Sequence, residues 1–518
     1  MCARADDGFS RRSYLPRVNL AANLTASAEV AGEKTALKLD DLEVSYRALD
    51  VASARVAGLL RERGIAPGER VAVMLPNTPE FAVVYYGALR AGAVAVPMNV
   101  LLKRREVAFY LSDSGARMLF AWHGFAEEAE AGAQGTGAMC MFVVPGEFAR
   151  LISAASPVEE VADRAPDDIA VILYTSGTTG TPKGAELTHS NLSSNVATVV
   201  RLHSFSQDDV FLGALPLFHS FGQTCSMNAA IAAGATLSLI PRFDAGRALD
   251  IIERDRATVF QGVPTMYSAL LHHPGRATAD VSTLRVCVSG GASLPAEVLR
   301  GFEEAFGCTL LEGYGLSETS PVASSNRMER ERRPGSVGMP IEGVSMRIVD
   351  ADGTEAPAGA RGEIVIRGPN VMKGYWGRPD ATAEAIRDGW FHTGDVGVRD
   401  DDGYFYVVDR LKEMIIRGGY NVYPREVEEV LYEHPAVREV AVLGVPHPEL
   451  GEEVAAAVAL RDGAAVDEES LREFVKARVA AYKYPRRISF FDELPKGPSG
   501  KIVKREISLP AVEAAGRS

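Results

Sequence analysis

Cysteine is scarce in this sequence: Cys2, Cys140, Cys225, Cys287 and Cys308 are the five in 518 residues. Their number is odd, they are scattered, and no C-x-x-C spacing occurs. A disulfide framework or a zinc site is therefore disfavoured, and a reducing cytoplasm is the expected setting. No run approaches the roughly 20 apolar residues that a membrane helix needs. The nearest, Ala229 to Ile240, is short and contains Gly234. The opening residues MCARADDGFSRRSYLPRVNL lack the apolar stretch of a signal peptide. We expect no transmembrane segment, while contact with a membrane surface stays open. Positive charge is in deficit: 55 Lys and Arg against 68 Asp and Glu leave a formal net charge of -13. Nucleic-acid phosphates would repel such a chain. There is no G-x-x-x-x-G-K-[ST] loop and no kinase motif set, which argues against a Walker-type ATPase or a kinase.

What is present suits a large soluble globular protein of at least two domains. Hydrophobic residues make up 47% and charged residues 24%, enough for large cores without staples. No internal repeat or long low-complexity tract occurs. The first part alternates helical and strand patterns. Leu49 to Arg63 has helical spacing, Arg70 to Leu75 reads as a buried strand, Glu80 to Ala91 as a helix, and Gly92 to Pro97 leads through another strand. Val171 to Tyr174 and Val286 to Ser289 are further buried strands running into small-residue turns. That succession predicts parallel sheets with helices on their faces.

After Gly389 the pattern changes. Strand-like pieces at Tyr404 to Val408 and Met414 to Ile416 precede a helix opened by Pro424, with Glu426, Glu428 and Glu429 near its start. Strands at Val437 to Val445, Val454 to Leu460 and Ile488 to Phe491, with a helix at Glu469 to Val479, complete a small α+β unit. The boundary falls near Asp409 to Lys412, giving domains 1–411 and 412–518. From Arg472 to Arg505 ten Lys and Arg face three Asp and Glu, a local +7. A solvated face explains any one of these charges; as a group they suit a polyphosphate.

The most informative segment is Tyr174 to Gly184, YTSGTTGTPKG. It follows a buried strand and offers hydroxyls and backbone N–H groups to an anion, with glycines that let the backbone come close. Lys183 adds a mobile positive charge.

This segment closely resembles the phosphate loop of the adenylate-forming (ANL) superfamily: acyl-CoA synthetases, peptide-synthetase adenylation domains and beetle luciferases. More of the pattern follows in order. LPLFHSFG lies at Leu215 to Gly222, SGGASLP at Ser289 to Pro295, and GYGLSETSP at Gly313 to Pro321. GWFHTGD lies at Gly389 to Asp395, VVDRLKEMIIRGGYNVYPREVE at Val407 to Glu428, and LPKGPSGK at Leu494 to Lys501. The resemblance spans nearly the whole chain. It implies an α/β fold: a large multi-sheet N-terminal domain of the acyl-CoA synthetase type and a small, mobile α+β C-terminal domain.

It also implies roles. Joining a carboxylate to the α-phosphate of ATP demands charge neutralisation and alignment. By resemblance Thr175, Ser176, Gly177, Thr178, Thr179 and Lys183 hold the β- and γ-phosphates. Glu318, with Thr179, matches the Mg²⁺ position. Gly291, Ala292, Gly313, Tyr314, Gly315, Ser317, Asp395 and Arg410 match the rest of the nucleotide site, Tyr314 beside adenine and Asp395 on the ribose hydroxyls. Ser317 stands where Thr is commoner and keeps the hydroxyl. Lys501, a surface lysine in a glycine turn as bare sequence, matches the catalytic lysine that bridges carboxylate and α-phosphate. For the second half-reaction the family rotates its small domain. Lys412 matches the hinge, and Gly418 and Gly419 the pantetheine channel. Tyr482, Lys483, Arg486 and Arg487 could meet the phosphates of coenzyme A.

Phe218, His219, Ser220, Phe221 and Gly290 match the acyl-pocket region, with His219 in a gating or positioning role. His392 stands where peptide-synthetase domains often carry Arg. No Asp pairs with an α-amino group near His219 and Ser220, which argues against amino acids, and Gly313 rather than Arg precedes Tyr314, which argues against malonate. Ile416 stands where luciferase-like and hydroxycinnamate-activating relatives carry Lys, which weighs against those subgroups. The small residues Gly290, Gly291 and Ala292 suit an extended or bulky apolar acid: a medium- or long-chain fatty acid first, an aromatic or polycyclic acid second. The expected enzyme is an ATP-, Mg²⁺- and CoA-dependent acid–thiol ligase, cytoplasmic, monomeric or homodimeric. Rivals are a ligase loading a carrier protein, although the insertion of fatty-acyl-adenylate ligases is absent, and a nucleotide-sensing scaffold, although Lys183, Glu318 and Lys501 are retained.

Overall fold

A computed structural model describes residues 19–175, 182–410, 413–417, 420–447, 450–498 and 500–509. Among them four sheets form. The largest has nine strands, and its middle is parallel: Thr309–Gly315, Val286–Ser289, Val259–Gly262, Val210–Gly213, Thr236–Leu239 and Thr35–Leu39 lie side by side in that order. Val286–Ser289 is buried at every position, as expected of a parallel strand covered on both faces. A seven-stranded sheet runs Gly374–Tyr375, Lys183–Thr188, Ile169–Thr175, Val94–Pro97, Arg70–Met74, Met118–Trp122 and Met139–Val143. A five-stranded antiparallel sheet holds Trp390–Arg399 and Phe405–Arg410.

The helices between strands follow from the apolar spacing. Tyr46–Glu62 is capped by the Ser45 hydroxyl, which accepts the Ala48 N–H at 3.2 Å, and it buries Leu49, Val56, Leu59 and Leu60. Truncating one such leucine to alanine costs about 2–5 kcal/mol. Every strand and helix expected from the sequence is present, with ends shifted by at most three residues.

The smaller C-terminal domain has its own sheet and core. Val437–His447 and Gly451–Leu460 form its long antiparallel pair, and Arg487–Phe491 adds in parallel. Helices Pro424–Tyr432 and Glu468–Lys476 cover it through Val427, Leu431, Leu471 and Val475. The expected boundary residues Leu411 and Lys412 lie outside the described residues, as do Gly418 and Gly419. No described helix is long and apolar enough to cross a membrane. The four described cysteines are free thiols, although Cys287 and Cys308 come together with their sulfurs 3.6 Å apart.

Candidate functional site

The site gathers at the carboxyl ends of the parallel strands, where open α/β sheets place ligands. Val286–Ser289 runs into Gly290 and Gly291, and Thr309–Gly315 ends in Tyr314 and Gly315. Gly315 is forced by its surroundings: a β-carbon there would stand 1.8 Å from the Pro321 carbonyl oxygen.

Five groupings emerge. In the first, Lys501 reaches the N-terminal domain. It sits on a tight turn closed by Gly497 N–H to its carbonyl at 2.8 Å and by pairing of Lys496 with Ile502. The turn is docked by Thr265, whose hydroxyl donates to the Gly500 carbonyl at 2.7 Å. The Lys501 stem then lies on Gly291, so that a β-carbon at Gly291 would be 2.7 Å from Cε and 3.1 Å from Nζ. Gly291 has φ +82°. The surface lysine of the bare sequence is thus half-buried, because Gly291 leaves it a seat.

His219 belongs to the same grouping. Burial, and secondarily the Lys501 charge, pull its imidazole down to about 3. Its Nδ1 accepts the Phe221 N–H at 3.3 Å, so the neutral ring carries its proton on Nε2 as a hydrogen-bond donor. A metal role is disfavoured: among the described residues no three His, Cys, Asp or Glu gather to hold an ion.

In the second grouping, Phe221 rests on Gly290, whose β-carbon would meet its ring at 3.2 Å and the Gly313 carbonyl at 3.4 Å. Ser220 and Ser317 face each other, Oγ to Oγ 3.4 Å. Phe218 is half-buried against the main core, and Ala292 is exposed on the loop after Gly291.

In the third, the Tyr314 hydroxyl donates to Asp395 Oδ2 at 2.6 Å. The buried Asp395 is aimed by its neighbours. Its N–H donates to Thr393 Oγ1 at 3.0 Å, and Thr393 in turn donates to the Ile364 carbonyl. Glu363 accepts the Gly394 N–H at 2.9 Å and pairs with His392 Nδ1 at 2.7 Å. Arg410 pairs with Asp395 in strand register; its side chain lies outside the description.

In the fourth, Lys183 stands 5.2 Å over the Tyr375 ring, and the Tyr375 hydroxyl donates to Glu318 Oε1 at 2.9 Å. Backbone pairing fixes this bridge: Tyr375 is in register with Ala185, and Met372 N–H donates to the Glu318 carbonyl at 2.8 Å. Thr175 closes the mouth of the phosphate-loop candidate, its hydroxyl reaching the Lys183 carbonyl at 3.5 Å. Ser176, Gly177, Thr178 and Thr179 lie outside the described residues.

The fifth lies between the domains. Buried Glu312 accepts the Leu294 N–H at 3.0 Å. Burial pushes its carboxyl up to about 7 against the pull of Arg425, with Glu429 adding to the rise. Glu429 itself accepts the Ala296 N–H and is raised by burial.

Tyr482 and Lys483 are not drawn into the site in this posture. Tyr482 stacks on Tyr420 at 4.7 Å and Lys483 pairs with Glu426. Sequence reasoning missed Tyr375, Glu363 and Glu312. The G-Y-W string at 374–376 was the available signal for Tyr375; the other two carried none.

Comparison with known proteins agrees with this layout. The AMP-binding enzyme family model matches residues 24–376, and the AMP-binding enzyme C-terminal domain matches 426–501. The feruloyl-CoA synthase of Amycolatopsis sp is 41% identical over 93% of this chain and 96% of its own. The long-chain-fatty-acid–CoA ligase of Bacillus subtilis (strain 168) is 37% identical over 95% and 94%. Among solved structures, ATP-bound MatB from Rhodopseudomonas palustris, 37% identical, covers 94% of this chain and 97% of its own with a TM-score of 0.88; the same protein in its apo form gives 0.79.

Proposed function

Because the chain belongs to the AMP-binding enzyme family, in its CoA-ligase branch, and is an AMP-forming acid–thiol ligase using ATP and CoA, we propose that its substrate is a carboxylic acid with an apolar body, activated as acyl-AMP. The observation that carries this is the seat of Lys501 on Gly291 beside neutral His219. One cation and one Nε2–H donor converge where a carboxylate would sit, and Phe221 and Gly290 continue into an apolar wall. Lys501 neutralises charge shared by carboxylate and α-phosphate. Tyr314 and Asp395 hold the adenosine, and Thr175 and Lys183 with residues 176–179 hold the outer phosphates.

Glu318 fits a Mg²⁺ ion. It is a buried carboxylate held by the Tyr375 hydroxyl, and an ion arriving with phosphate and water oxygens needs few protein ligands. Such an ion would neutralise phosphate charge.

The resemblance to ATP-bound MatB supports reading this posture as the adenylating one. Rotation near Lys412 would withdraw Lys501 and bring Gly418 and Gly419 to a pantetheine channel; Tyr482 and Lys483 would then be available to CoA. We place the domain boundary at 411/412 on the same reading, in a cytoplasmic protein, monomeric or homodimeric. A medium- or long-chain fatty acid and an aromatic acid both satisfy the apolar wall. The aromatic acid is favoured by a buried amide on the pocket side, described below.

The test is AMP release with Mg-ATP across acids from acetate to palmitate, benzoate, cinnamates, malonate and mixed amino acids, with and without CoA. Release requiring both CoA and an apolar acid supports the reading. Pyrophosphate exchange without CoA-dependent turnover would favour a carrier-protein thiol as acceptor, and no exchange with any acid would refute it.

A further inference from the structure

We propose that the acyl pocket ends in a polar floor built by Gln261 and Ser226, and that the acid is an aromatic one bearing an oxygen at the end remote from its carboxylate. The inference rests on the ligase reading and names its substrate class.

The path can be followed from the carboxylate end. Lys501 and His219 mark that end, and Phe221 against Gly290 comes next. Phe221 opens a helix of wide π-type turns, Phe221–Asn228. Residues five apart share a face in such turns, so Ser226 stands one turn beyond Phe221. There its hydroxyl donates to Gln261 Oε1 at 2.7 Å. Gln261 lies on Val259–Gly262, and the next residue, Gly262, accepts the Gly290 N–H at 3.2 Å. Helix and strand therefore meet along one line, from Phe221 on Gly290 to Ser226 on Gln261, and the proposed acyl path follows it.

The amide at its end is incomplete. Gln261 is 1% exposed, and its Nε2 has no acceptor. With the Ser226 hydroxyl on Oε1, the NH₂ is the donor left over. A buried donor without a partner is costly, and an acceptor atom on the substrate would satisfy it. From Phe221 to Ser226 these wide turns advance by less than the roughly 7–8 Å that five α-helical residues would give. That is the length of one aromatic ring and well short of an extended fatty chain. An aryl acid with a phenolic or ether oxygen places its acceptor at Nε2. A fatty chain would bury the amide against methylenes. Ile416, whose lack of a positive charge weighed against hydroxycinnamate-activating relatives, is an exposed residue of the C-terminal domain, outside this groove.

The test compares kcat/KM, by CoA-dependent AMP release, for 4-hydroxycinnamate, cinnamate, decanoate and palmitate in wild type, Gln261→Leu and Ser226→Ala. Wild type should favour 4-hydroxycinnamate over cinnamate by about 10- to 100-fold. Gln261→Leu should abolish or invert that ratio. Ser226→Ala, a smaller change, should reduce the ratio by freeing the amide, which keeps the test decisive if the leucine variant does not fold. Equal use of the two cinnamates by wild type, preference for palmitate, or ratios unchanged in both variants would overturn the polar floor and leave the ligase reading intact. Absence of AMP release with every acid would instead strike the ligase reading itself.

Discussion

Gly291→Ala is the sharpest probe of how the C-terminal lysine meets the N-terminal domain. The added β-carbon would lie 2.7 Å from Lys501 Cε, whereas relaxed carbon contacts need about 3.5–4.0 Å. The ammonium must therefore shift by roughly 1 Å, and misplacing a catalytic group by that much costs on the order of 10²-fold. The backbone adds strain, because φ at Gly291 is +82°, a conformation that costs a side-chain-bearing residue about 1–3 kcal/mol. The expected outcome is a fall of about 100-fold in acid-dependent pyrophosphate exchange. Thioester formation from pre-made acyl-AMP and CoA, with Lys501 withdrawn, should feel only the strain, about 5-fold at 1 kcal/mol. A double-mutant cycle isolates the cause: with Lys501→Ala already present, Gly291→Ala should add little to the loss of adenylation. Exchange at the wild-type rate in Gly291→Ala, or losses that add fully in the double variant, would refute the proposed contact.

Other outcomes follow from the same geometry. Lys501→Ala should stop adenylate formation while largely sparing the thioester step; equal loss in both would sink the two-posture reading. Gly419→Leu should do the reverse, slowing the CoA step in a single-turnover assay while pyrophosphate exchange persists. Tyr375→Phe keeps the ring under Lys183 but removes the hydroxyl on Glu318, so the Mg²⁺ concentration for half-activation should rise several-fold, and calorimetric Mg-ATP binding should weaken in parallel; an unchanged Mg²⁺ dependence would show the bridge to be inert. Glu312→Gln tests the domain contact through pH. The carboxyl is raised from 4.5 to about 7 in the folded chain, so the protonated form stabilises fully below about 4.5 and that contribution is lost as pH rises through 7, by about 3 kcal/mol at most; wild-type Tm should fall across this window and the variant's should fall less, with parallel profiles counting against a buried neutral acid.

The element pattern and the family motifs were legible because each is a local string. Apolar runs such as Val286 to Ser289 declare buried strands, and the glycine- and threonine-rich loop points to the family before any fold is known. Contacts made at long range were not. Tyr375 joins Glu318 across 57 positions, and nothing in a G-Y-W string says which carboxylate its hydroxyl meets. Glu312 reads as one more acid until Leu294, Arg425 and Glu429 are seen around it. Lys501 reads as a surface residue since its burial depends on a glycine with positive φ in the other domain. Gln261 is a polar residue in an apolar strand, a signal that was present; only Ser226 opposite it gives the amide a direction.

On the reading proposed above, a cation carried on a separate domain has a physical reason. His219 is kept neutral, first by burial and then by the nearness of Lys501, so the N-terminal domain offers the carboxylate a donor without a fixed charge there. A resident ammonium would continue to stabilise the carboxylate and α-phosphate after they have joined, and its stem would still cover Gly291 when a thiol must approach the acyl carbon. Carried on a turn held by the Thr265 to Gly500 hydrogen bond and by packing on Val263, the charge would, on that reading, be present only while the domains are docked. The Thr265 hydrogen bond, a single neutral one, contributes about 1 kcal/mol. Buried Glu312, with Arg425 and Glu429 near it, adds a second contact between the domains, one whose protonation would bear on their docking.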